Sequence, residues 1–153
     1  MSSDLWSFSL ATYARPGVEH ACLQLQTAGA NVCLLLCGLW LEQRGVAYDE
    51  QRARQLAMLV GPWDVEVVQP LRALRTQWKT LAAEDPVLKG MREQLKSLEL
   101  EAERALLSRL EGMAQEWTRN VAGSNTWLES LAGAATSPNR DALQVLRVAV
   151  TGT

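Results

Sequence analysis

Apolar and polar positions alternate unevenly along the chain, and the strongest feature is Asn31-Val-Cys-Leu-Leu-Leu-Cys-Gly-Leu-Trp-Leu41, a stretch without a charge. It is too long and too leucine-rich to suit a strand, and Gly29 and Gly45 bound it. It predicts a helix over about residues 30–44 that is apolar on every side. In a globular domain such a helix lies inside the core, with the other helices packed around it.

The neighbouring elements follow from caps and breakers. Ser3 or Asp4 can cap a helix from Leu5 to about Ala14. Arg15-Pro16-Gly17 stops it, because a residue before proline is pushed out of the α region. Pro16 is expected in the first turn of a second helix that ends at Thr27-Ala-Gly29. Asp49 suits the N-cap of a fourth helix, to about Val60. Gly61-Pro62 is expected to restart the chain, and a fifth helix, kinked at Pro70, reaches about Ala83.

From Pro86 to about residue 121, Leu88, Met91, Leu95, Leu98, Ala102 and Leu106 lead a stripe spaced by threes and fours. This predicts a long amphipathic helix that either runs on and packs against a second copy or breaks near Gly112. Arg92, Lys96, Glu99 and Glu103 lie off the stripe and read as its solvated back. Asn125 and Ser137-Pro138 then introduce two short C-terminal helices. The expected architecture is all-α: one domain of 153 residues, with residues 1–83 as a helical bundle around the central helix. Residues 84–153 supply the long helix and the two short ones.

Composition narrows the picture only a little. Residues 1–48 hold five charged side chains and residues 49–119 hold 23, so the first part reads as core and the middle as solvated helices. The net charge of −2 disfavours a general nucleic-acid binder, although Arg72, Arg75 and Lys79 form a short basic strip. The apolar run at 32–41 would span only ~15 Å as a helix, half a bilayer core, so no membrane span is expected. Cys22, Cys33 and Cys37, an odd number in apolar surroundings with no signal peptide ahead of them, suggest reduced thiols in a cytoplasmic protein.

Candidate chemistry is sparse. His20 and Cys22 are two apart on a helix and point in different directions, and Cys33 and Cys37 are ringed by leucines, so no metal site is expected. The same leucines argue against a catalytic thiol, which needs an open, electropositive setting. No phosphate-binding glycine loop, Gly-x-Ser-x-Gly or His-Glu-x-x-His is present, and no cofactor is implied. Polar residues in apolar surroundings (Tyr13, His20, Gln24, Gln26 and Asn31) either lock the second helix to its neighbours or line a small pocket beside the central helix. Trp63, after a turn, and Trp78, among Arg72 and Arg75, have the composition of a protein-interface anchor.

Several blocks in order carry a resemblance: Trp6-Ser-Phe8, Tyr13-Ala-Arg-Pro16-Gly-Val18, Ala21-Cys-Leu-Gln-Leu-Gln26, Gly29-Ala-Asn-Val-Cys-Leu-Leu-Leu36 and Trp40. They resemble a family of short proteobacterial proteins, common in Pseudomonas and its relatives, catalogued as a domain of unknown function. The resemblance covers about the first 80 residues. Some members carry asparagine at the position of Cys33, which weakens the metal reading further. It implies a bacterial helical protein and no activity.

The leading expectation is therefore a non-enzymatic protein-interaction or adaptor module, homodimeric through the long helix. A small-molecule or enzymatic pocket lined by Tyr13, His20, Gln26 and Asn31 is the alternative, and a nucleic-acid-associated factor the weaker one.

Overall fold

A computed structural model of the chain describes residues 4–117 and 126–151. All regular structure in it is helical. In chain order the helices are α1 (Asp4–Tyr13), α2 (Val18–Thr27), α3 (Val32–Gln43), α4 (Glu50–Trp63), α5 (Gln69–Ala82), α6 (Pro86–Ala114), α7 (Trp127–Ala132) and α8 (Arg140–Thr151). A π-turn, Asp64–Val68, joins α4 to α5, and two short 3-10 turns join α7 to α8. None of these helices is long and apolar enough to cross a membrane.

α3 is the expected central helix, with every residue from 33 to 41 buried. It divides the core in two. Cys33, Leu36, Cys37, Trp40 and Leu41 face α1, α4, α6 and the fully buried Trp127. Leu35 and Leu39 face α2, α7 and α8. Gly38 is where α7 comes close: a Cβ built there would lie 2.8 Å from Leu131 Cδ1 and 3.6 Å from Trp127 Cβ.

Local chemistry sets the ends of α3. Asn31 Oδ1 accepts from the Leu34 N–H at 3.0 Å, satisfying one of the donors a helix start leaves open. At the other end Gly45, with φ of 74°, lets Val46 N–H reach back to Leu41 C=O at 3.0 Å and Gly45 N–H to Glu42 C=O. This is a Schellman closure, and the buried pair Leu41 and Val46 completes it. Asp49 caps α4 as expected, and Asp85 caps α6 in the same way.

Three expectations need correction. Pro16 precedes α2 rather than opening it, because Gly17 takes a left-handed φ of 82° that no helical turn accommodates. Gly61-Pro62 does not restart the chain: α4 runs through Pro62. Pro62 has no N–H to donate to the carbonyl of Met58, four residues back, so the helix forgoes one bond there. Pro70 produces a register change instead of a simple kink. Ahead of it the Gln69 N–H bonds Asp64 C=O, five residues back, so the helix widens where the proline ring would crowd a tighter turn. The long helix α6 stops at Ala114, close to the expected break near Gly112, after a length of ~43 Å. The expected caps Ser3 and Asn125, and residues 118–121 of the expected long helix, lie outside the described residues.

The buried side of α6 is also shifted. Leu95, Glu99, Ala102, Leu106 and Leu110 point inward, while Met91 and Leu98 are about half exposed. The C-terminal half packs on α1, α3 and α4, and α5 lies along the helix as its hairpin partner. Glu99 is therefore buried at 7% exposure, not part of a solvated back.

Candidate functional site

Beside α3, a cavity of about 570 Å³ opens between α1, α2, the π-turn, α5 and α6. Its volume falls in the range of small-molecule sites. Leu36, Leu106 and Leu107 form part of the apolar lining, and Leu10, Leu23 and Leu100 line it while staying about half exposed. Exposed leucines around a concave opening are the feature that a folded chain does not need for its own stability.

The polar lining has a definite arrangement. Asp64, Gln69, Arg72 and Arg75 enter from the π-turn and α5, and Glu99 and Glu103 from α6. π-turns inside α-helices often mark functional sites, and here the widened turn carries Asp64 and leads into Gln69 and Arg72 on the cavity wall. Glu99 is the buried hub. It accepts from Nε and Nη2 of Arg75 and lies 3.4 Å from Nε of Arg72. Asp64 accepts from the Gln69 amide. Arg92 donates to the Arg75 carbonyl at 2.9 Å, which holds α5 to α6 at the same level.

Two polar groups on the wall are left underused. The hydroxyl of Ser9, a residue only 4% exposed on α1, has no hydrogen-bond partner among the described residues. Such a group normally finds a partner when buried. Glu103 reaches Arg72 Nη2 only at 3.9 Å, and burial pushes its carboxyl above the usual carboxylate range, with Glu99 adding to the effect. Tyr13 is raised too, first by burial and then by Cys22, Glu19 and Glu103.

The thiols on this side are inert in character. Burial pushes Cys22 up to about 12, and it raises Cys33 as well. Cys37 is likewise pushed up to about 12 by burial. A nucleophilic thiolate needs the opposite environment. Among the described residues no cluster of three His, Cys, Asp or Glu is placed to hold a metal ion.

The sequence-derived candidates are distributed as follows. Tyr13, Gln26 and Asn31 line the cavity, and Asn31 also caps α3. His20 does not: it is exposed on α2 and is not part of the lining. Gln24 is exposed as well. Of the four interface candidates, Arg72 and Arg75 are in the cavity wall, paired to Glu99. Trp63 donates to Ala102 C=O at 2.9 Å under the Arg109 guanidinium, and Trp78 is half-buried on α5.

Sequence reasoning missed Ser9, Glu103 and the leucine rim. Ser9 did carry a signal, a small polar residue between Phe8 and Leu10 in an apolar helix. Glu103 carried none, since its neighbours Glu101 and Arg104 make it look solvated.

No curated protein and no solved structure matches the chain. One family model does, over residues 4–110, which is further than the expected first 80 residues and takes in every side chain that lines the cavity. With well over half of its length covered, the chain belongs to the family described as protein of unknown function (DUF2390).

Proposed function

We propose that the chain is a binding protein whose cavity beside α3 takes a small amphipathic molecule. The observation that carries this is the combination of a cavity of about 570 Å³, a rim of half-exposed leucines and the buried Ser9 hydroxyl that lacks a partner. Apolar walls with a few placed polar groups are the common design of small-ligand sites. Burial keeps the thiols of Cys22 and Cys33 protonated, so the reading assigns no cysteine nucleophile to the cavity. Three buried free cysteines also fit the reducing conditions of a bacterial cytoplasm.

The test is a titration with N-phenyl-1-naphthylamine, an apolar fluorophore that brightens when it leaves water. The protein is expected to bind one equivalent, and the double variant Leu10→Glu with Leu100→Glu to lose it. Both positions are half exposed, so the fold tolerates the change. Equal binding by the double variant would remove the cavity as the site.

A second reading, a protein-interaction role through a homodimer, draws on the α5–α6 hairpin. Val87, Met91 and Leu98 are exposed and fall on one face of α6 at the ~100° per residue of an α-helix. Light scattering across micromolar concentrations tests it, and a monomer throughout would rule it out.

A further inference from the structure

The cavity wall also specifies the chemistry of its occupant, an inference that rests on the binding role proposed above. Three carboxylates, Asp64, Glu99 and Glu103, face two guanidiniums, Arg72 and Arg75, across the same space. Glu99 is held by both arginines, and Asp64 is held by the Gln69 amide. Glu103 is different. Its nearest cation lies at 3.9 Å, outside hydrogen-bond distance, and the side chain is two-thirds buried with 32% exposure. A carboxylate removed from water in this way calls for a donor.

The charge balance decides which kind of donor. An occupant bearing a carboxylate would place a fourth negative group beside arginines already engaged with Glu99. A neutral occupant would leave the wall with an excess negative charge. A cation neutralises it. An ammonium group also brings three donors and no acceptor, so after meeting Glu103 it can still donate to other oxygens of the cavity lining. The leucines at 10, 23 and 100 then suit an apolar chain leading away from the charge.

We propose that the cavity binds protonated primary amines carrying an apolar chain, with the ammonium seated on the Glu103 carboxylate and the chain along the leucine rim. The experiment is calorimetric titration of the full chain with octylamine, octanol and octanoate, repeated on Glu103→Gln. Octylamine is expected to bind one to one and at least tenfold more tightly than either of the others. Glu103→Gln is expected to bring octylamine down to the level of octanol. The variant keeps the shape of the side chain and among the described residues gives up only the 3.9 Å ion pair with Arg72, and its unfolding midpoint checks that it is folded.

Preference for octanoate, or an amine preference that survives in Glu103→Gln, would overturn the head-group assignment. Naphthylamine binding sensitive to the rim would then still uphold the cavity as the site. If none of the three chains binds and the fluorophore does not bind either, the binding role fails together with the amine.

Discussion

Arg147 Nη2 lies 2.9 Å from Oε2 of Glu42, so the last helix is tied to the C-terminal end of the central one. The same guanidinium reaches Glu129 Oε2 at 2.7 Å, and Glu42 also accepts from the Leu128 N–H that opens α7. Three helices thus meet at one arginine. The Glu42 side chain is 9% exposed, and removing its partner would leave a carboxylate largely out of water. Arg147→Ala is expected to destabilise the protein by about 2–3 kcal/mol in urea unfolding. Arg147→Lys is expected to restore only part of this, because an ammonium cannot fork between two carboxylates.

Two carboxylates are expected to act in opposite directions as pH changes. The Arg147 hydrogen bond lowers Glu129, so its contribution is full above the ordinary value of 4.5 and is lost as pH falls through the depressed folded one. Burial raises Glu103, so its protonated form favours the fold, and that favour is lost as pH rises through the raised value. Glu103→Gln is therefore expected to unfold at a higher temperature than the wild type at pH 7. The difference is expected to close below pH 4.5, as followed by circular dichroism.

Gly38 is expected to tolerate one methyl and no more. The close atom at 2.8 Å is a terminal methyl of Leu131, which can rotate aside, and alanine regains up to about 1 kcal/mol of helix propensity over glycine. Gly38→Ala is expected to change stability by less than about 1 kcal/mol. Gly38→Val presses on Trp127 as well and is expected to cost about 3 kcal/mol, the upper range of overpacking. Denaturant titration of both variants measures the contrast.

Trp127 is fully buried, and its Nε1 donates to Val46 C=O at 2.8 Å. Its ring stands edge-on to Tyr48 at 5.2 Å and stacks with Trp117 at 6.0 Å. Phenylalanine keeps a ring there but strands the carbonyl, so Trp127→Phe is expected to destabilise by about 1–3 kcal/mol. The fluorescence change on unfolding is expected to fall with it, which identifies Trp127 as a principal reporter of the fold.

The three cysteines are expected to resist alkylation at pH 8 in the folded state. All are buried, and burial holds each thiol well above its ordinary value. Mass spectrometry after iodoacetamide is expected to show no adduct without denaturant and three in its presence.

The sequence by itself determined the all-α class, the buried helix at its centre and most helix ends. Those features are written locally: an uncharged run between Gly29 and Gly45, asparagine and aspartate caps at Asn31, Asp49 and Asp85, and spacings of threes and fours on α6. It also singled out Tyr13, Gln26 and Asn31 as polar side chains among leucines, which must either find partners or face an opening, but left open which of the two they do. Tertiary structure decided the rest. Whether Glu99 is solvated or buried depends on Arg72 and Arg75, 27 and 24 residues away, and on the π-turn before Pro70 that sets how α5 faces α6. His20 shares a helix with Cys22 and Gln26, yet one faces solvent and the others the cavity, since only the packing of α2 fixes which side turns inward. Charge and capping act over a few residues, whereas a binding site is a meeting of distant ones, and the chain brings Ser9 and Glu103 to one wall only once it has folded.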